Sequence, residues 1–135
     1  MIIGLGIDLL DCNRLAKSID SLGEDFLKRV FSDREIYSAR ELGDELYNFG
    51  QIFAGKEAII KANSNASGIH WHMIDIDFRN NTATLFDTAR SNAGERADGL
   101  PFYIHLSFAL QKPYAQAVAI LETMPQCHNC LNSIE

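Results

Sequence analysis

Apolar and polar positions divide this chain into a mostly helical first half and an extended second half. Residues 2 to 10, IIGLGIDLL, alternate as a strand, with Ile3, Leu5, Ile7 and Leu9 on one face and Gly4, Gly6 and Asp8 on the other. Residues 11 to 22 follow as a helix carrying Arg14 and Lys17 on one side, Gly23 interrupts it, and 24 to 30 add a turn or two with Phe26, Leu27 and Val30 inward. Ser32-Asp33-Arg34-Glu35 is a capping box, so a new helix begins there and runs to about Leu42. Another starts at Glu45 or Asn48 and extends through Ala62, followed by the turn-rich run Asn63-Ser64-Asn65-Ala66-Ser67-Gly68. Residues 73 to 79 and 82 to 88 alternate around Asn80-Asn81 as a β-hairpin, 89 to 98 form a short helix, and 102 to 109 and 115 to 122 pair around Lys112-Pro113. Helices first and hairpins afterwards, with the opening strand free to join them, is an α+β pattern, with helices packed on an antiparallel sheet.

Two stretches carry charge where apolar residues dominate. In QIFAGKEAIIKA, residues 51 to 62, Glu57 and Lys61 stand one turn apart on one helical face and Lys56 lies about 100° round from Glu57. Ile52, Phe53, Ala58, Ile59, Ile60 and Ala62 occupy most of the remaining surface, so the helix is expected to be largely buried. Its charged strip is either a solvated Glu57 to Lys61 pair, worth about 0.3 to 0.5 kcal/mol, or the wall of a site. On the opening strand, Gly4 and Gly6 leave an open floor beside Asp8. That floor admits either a ligand approaching the carboxylate or a helix crossing the strand, with Asp8 as a cap.

Composition narrows the classes. At 135 residues the chain has the size of one domain, read here as residues 1 to 122 with a flexible tail over 123 to 135. Its net charge of -6 argues against nucleic-acid binding, which needs a cationic surface. Yet six of the 12 Lys and Arg (Arg14, Lys17, Lys28, Arg29, Arg34 and Arg40) fall within residues 14 to 40 beside five acids (Asp20, Glu24, Asp25, Asp33 and Glu35), so this span is close to neutral within an acidic chain and leaves room for a local basic face that meets an acidic partner. No apolar run approaches the roughly 20 residues that span a bilayer, and MIIGLGID lacks a basic signal region, so a cytoplasmic protein away from membranes is expected. Cys127 and Cys130 form one C-x-x-C, half of a zinc knuckle with no second pair, and are read as incidental to the tail ahead of a metal or redox role.

Four motifs occur in order: G-x-G-x-D at 4 to 8, F-x-x-R-x-F-S-x-x-E at 26 to 35, F-A-x-K-E-A-x-x-K-A at 53 to 62, and L-S followed by Y-A-x-A-x-A at 106 to 119. Together they resemble holo-(acyl carrier protein) synthase, the small phosphopantetheinyl transferase family, over residues 1 to about 122. The resemblance implies transfer of 4'-phosphopantetheine from coenzyme A to a serine of an acyl carrier protein, with release of adenosine 3',5'-bisphosphate. It implies Asp8 and Glu57 as Mg2+ ligands, Lys61 as the cation that stabilises phosphate charge, and Glu57 or a metal-bound water as the acceptor of the serine proton. By the same resemblance, Lys61, Ser64 and Ser107 bind coenzyme A, Arg14 meets the carrier protein, and the assembly is a homotrimer with sites between subunits.

The chain departs from the family pattern at three places. Ile52 stands where an arginine is usual, Ser64-Asn65-Ala66 where the family has a G-T-G-like loop, and Phe108 where it has a histidine. His105 is three positions away on the other strand face, and a lone strand histidine is ordinarily a structural or surface residue. These changes spare Asp8, Glu57 and Lys61 but bear on coenzyme A affinity. They leave open a second class, a catalytically degenerate relative that binds carrier protein or acts as a scaffold.

Overall fold

The computed structural model describes residues 1–63, 69–86 and 102–123. In chain order it contains β1 (Ile2–Asp11), α1 (Cys12–Val30), α2 (Asp33–Glu41), α3 (Glu45–Ala62), a 3-10 turn (Trp71–Met73), β2 (Ile74–Asp77), β3 (Thr82–Leu85), β4 (Phe102–Gln111) and β5 (Tyr114–Thr123). This is the α+β order read from the sequence. The helix expected over residues 89 to 98, the Ser64-Asn65-Ala66 loop and the Cys127/Cys130 tail lie outside the described residues.

Local chemistry sets the helix boundaries. Asp11, and not Asp8, caps α1 by accepting from the Asn13 backbone N–H at 2.9 Å. Gly23, at φ 61, kinks α1 in the left-handed region that glycine enters without steric cost. At α2 the capping box closes as expected: Ser32 Oγ accepts from Glu35 N, and Glu35 Oε2 accepts from Ser32 N.

Strands β1, β5 and β4 form one antiparallel sheet in that order, while β2 and β3 pair separately. The central strand β5 turns Ala115, Ala117, Ala119 and Leu121 to the buried side, and α3 lies across that face. Small residues there let the helix approach closely. A Cβ at Gly4 or Gly6 would sit far inside the van der Waals contact distance of the Ala62 or Ala58 carbonyl oxygen, so backbone meets backbone at this crossing. The glycine floor of β1 is therefore filled by α3. Helices α1 and α2 and strand β2 also contact α3, which is why Phe49, Ile52, Ala54, Ala58 and Ile59 are all buried.

The other face of the sheet reverses a common expectation about alternating strands. Leu5, Ile7 and Leu9 are 58%, 48% and 64% exposed, and Tyr103 lies exposed on the same side. Leu5, Ile7 and Leu9 thus point away from the core, because the glycine face is the one the helix can reach, whereas Ile3, expected on their face, packs against the core beside the irregularity at the start of the strand.

Candidate active site

The crossing of β1 and α3 brings the motif residues together. Asp8 follows Gly4 and Gly6 on the helix-facing side of β1, and its Oδ1 accepts from Lys61 Nζ at 2.6 Å. Lys61 also donates to the Ile7 carbonyl at 3.2 Å, so the strand edge fixes the ammonium at two points. The expected pairing of Lys61 with Glu57 along the helix is replaced by this ion pair with Asp8. A strand carboxylate pressed against the helix by two glycines competes better for the ammonium than a neighbour one turn away.

Glu57 is half-buried and accepts from the Trp71 indole at 2.5 Å through Oε1. Asp8, Glu57 and Arg14 line a single pocket of about 310 Å3, together with Asp11, Ser18 and Phe53. Among the described residues no hydrogen bond engages Asp8 Oδ2 or Glu57 Oε2. Two carboxylates with unused oxygens on one water-accessible pocket suit a hard cation such as Mg2+, which takes one or two protein carboxylates and completes its shell with water. No cluster of three or more His, Cys, Asp or Glu ligands exists among the described residues, so a metal held mainly by protein ligands does not fit.

Arg14 is exposed near the start of α1, on the same pocket, with Lys17 exposed one turn on. Ser107 is placed differently. It pairs with Val118, which in turn pairs with Ile7, so all three point to the exposed apolar face and away from α3. Within one chain Ser107 and the Asp8/Glu57 pocket lie on opposite sides of the sheet. Ser64 lies outside the described residues.

Phe108 sits in the cross-strand row Phe108, Ala117, Asp8 on the helix side, and its ring lies over Gly55 in the partly buried margin of the core. His105 is exposed on the opposite face and bonds Glu122 through Nε2 at 2.9 Å, an ordinary surface contact.

Lys56 departs most from the reading of a single charged strip. Its side chain is 0% exposed and its Nζ donates to Glu35 at 2.7 Å, to the Val30 carbonyl at 2.7 Å and to the Trp71 carbonyl at 3.0 Å. Glu35, also buried, accepts in addition from the Ile76 backbone N–H at 2.7 Å. Burial pushes the Glu35 carboxyl above its ordinary value and the Lys56 ammonium below its own, while each partner opposes the shift of the other. Sequence periodicity placed Lys56 beside Glu57, but only the packing of α2 and the 3-10 turn supplies its partners.

Trp71 is the site residue that sequence reasoning passed over. Its one available signal was a large aromatic with a polar tip between two histidines, just before an alternating hairpin.

A model of the 4'-phosphopantetheinyl transferase superfamily matches residues 4–119. The holo-[acyl-carrier-protein] synthase of Agrobacterium fabrum is 35% identical over 136 residues, covering 93% of this chain and 98% of that protein. That of Phenylobacterium zucineum is 34% identical over 131 residues, covering 93% and 95%. Among solved structures, the Bacillus anthracis holo-(acyl-carrier-protein) synthase in complex with CoA (3',5'-ADP) superposes with a TM-score of 0.66 at 27% identity, covering 92% of this chain and 99% of that one. The Neisseria meningitidis enzyme has the same fold, with a TM-score of 0.68 at 21% identity over 90% of this chain and 99% of its own.

Proposed function

From the premise that this chain belongs to the 4'-phosphopantetheinyl transferase superfamily, we propose that the Asp8, Glu57 and Lys61 constellation carries its holo-(acyl carrier protein) synthase reaction. The substrates are coenzyme A and a carrier-protein serine. The serine oxygen forms a bond to the β-phosphorus of the coenzyme A diphosphate, and the bond to the bridging oxygen breaks. The phosphopantetheinyl group stays on the serine, and adenosine 3',5'-bisphosphate leaves with the electron pair.

The observation that carries this reading is the convergence of one strand carboxylate, one helix carboxylate and one helix ammonium at the glycine crossing. Asp8 and Glu57 would hold Mg2+, which when bound neutralises charge on the diphosphate oxygens. Lys61, poised by Asp8 and the Ile7 carbonyl, offers its remaining donor to a phosphate oxygen and favours charge building on the leaving group. The serine proton needs an acceptor at the same pocket, which Asp8 and Glu57 line with their carboxylates. Arg14, exposed on the pocket rim, attracts the acidic carrier and steers its serine inward.

Ser107 adds the case for assembly. Its exposed face also presents Leu5, Ile7 and Leu9, an apolar surface of the kind that marks association. A homotrimer seated on this face lets Ser107 of one copy serve the site of a neighbour. The reading also places the enzyme in the cytoplasm, and no helix among the described residues is long and apolar enough to cross a membrane.

Incubation with apo-carrier, coenzyme A and Mg2+, read by intact mass, tests the assignment. Wild-type protein gives the phosphopantetheine adduct. Asp8→Ala and Glu57→Ala each lose it while keeping their circular dichroism and melting transition. Mg2+-dependent transfer retained in either variant removes that residue from the metal site.

A further inference from the structure

Glu57 has two oxygens, and the structure divides them. One accepts the Trp71 indole N–H at 2.5 Å, and the other is unengaged among the described residues. Two contacts hold Trp71 in place, one on its ring and one on its backbone. Phe53, one turn before Glu57 on α3, packs a tilted ring against it with centroids 5.6 Å apart and planes at 43°. The Trp71 carbonyl accepts from Lys56 Nζ, the residue next to Glu57 on the same helix. Lys56 is in turn locked by buried Glu35 and by the Val30 carbonyl.

We infer that Trp71 is a positioning residue that clamps the Glu57 carboxylate, turning its unengaged oxygen toward the metal and the diphosphate. The inference rests on the transferase reading of Glu57 and adds to it the group that sets the carboxylate's rotamer. An isolated glutamate at a half-open pocket samples several χ3 orientations, and each nonproductive one subtracts from metal affinity. An indole donor reduces that freedom without adding charge or competing for the cation. It also draws electron density from the oxygen it binds, leaving the other as the natural ligand. The buried Lys56 and Glu35 pair then acquires a use beyond packing, because it holds the backbone from which the indole projects.

Trp71 is the chain's one tryptophan, so a 1H–15N spectrum contains a single indole N–H resonance that reports on Glu57 without any turnover. In the wild type this resonance moves on Mg2+ titration. In Glu57→Gln, where the acceptor is neutral, it starts from a different position and no longer responds to Mg2+. Trp71→Phe keeps the ring against Phe53 but removes the donor. It is expected to lower kcat about 10- to 100-fold and raise the Mg2+ concentration for half-maximal rate, while KM for the carrier stays unchanged. A purely structural tryptophan would leave the Mg2+ requirement where it was.

An indole resonance identical in wild type and Glu57→Gln overturns the clamp. So does a Trp71→Phe enzyme with wild-type kcat and Mg2+ requirement, and that result leaves the transferase reading intact. Glu57→Gln with undiminished transfer would instead remove the assignment of Glu57 itself. The spectra of wild type and Glu57→Gln decide the question even where Trp71→Phe folds poorly.

Discussion

At the scale of single residues, the least expected feature is an ion pair removed from water beside the site. Lys56 and Glu35 are 0% and 1% exposed, and apart from the capping-box bonds of Glu35 with Ser32 their side-chain hydrogen bonds reach across to other elements. Lys56→Met leaves the Glu35 carboxylate buried without its cation, which costs about 3 to 5 kcal/mol near neutral pH. The pH dependence has a definite sign. Burial already holds the Glu35 pKa above its ordinary value, and Lys56 is the leading opposing influence. Without that lysine the folded-state pKa rises further above the unfolded one. The variant's stability is then fully present below the unfolded pKa and is lost as pH rises through the raised folded value. Urea denaturation between pH 4 and 8, ranges chosen around the ordinary Glu pKa of about 4.3, checks this. A variant that gains stability relative to wild type with rising pH contradicts it.

At the scale of elements, the site depends on how near α3 comes to β1. Gly4 and Gly6 hold no side chain where the Ala62 and Ala58 carbonyls lie, and that contact delivers Lys61 to Asp8. Gly6→Ala puts a methyl group into helix backbone, which has no flexible end to yield. Stability should fall by about 3 kcal/mol, the upper end of ordinary overpacking. Any folded fraction should transfer poorly, because Asp8 and Glu57 move apart. Thermal melting with the mass-based transfer assay reads both effects, and a Gly6→Ala enzyme of wild-type stability would refute the close crossing. The glycine, aspartate and KEA-x-x-K motifs were legible in the sequence, as was the choice between a ligand floor and a helix crossing. Choosing between them was not, since a two-residue alternation names the faces of a strand without saying what covers each.

At the scale of the whole molecule, the sheet presents one covered and one open face. The open face carries Leu5, Ile7, Leu9 and Tyr103 around Ser107. The proposed association through that surface would account for Leu5, Ile7 and Leu9 lying on the side away from the core of their own chain. Ile7→Lys in the centre of β1 should weaken association by about 2 kcal/mol, roughly 30-fold. Transfer should fall with it where Ser107 serves a neighbouring site. Sedimentation across a concentration series, run beside the transfer assay, measures both. A wild-type protein that sediments as a fully active monomer overturns the trimer.

The sequence by itself determined the order of the described elements, the capping box at Ser32 and Glu35, the kink at Gly23 and the family, because these rest on local periodicity and motif spacing. It also placed Asp8, Glu57 and Lys61 together as candidates through the resemblance. Tertiary structure alone decided that Lys61 turns to Asp8, that Lys56 points inward to Glu35, that Phe108 covers Gly55, and that Trp71 holds Glu57. Each of these is a contact between segments distant in the chain. Periodicity fixes the direction in which a side chain leaves its own helix or strand, but its partner is set by which other element packs there.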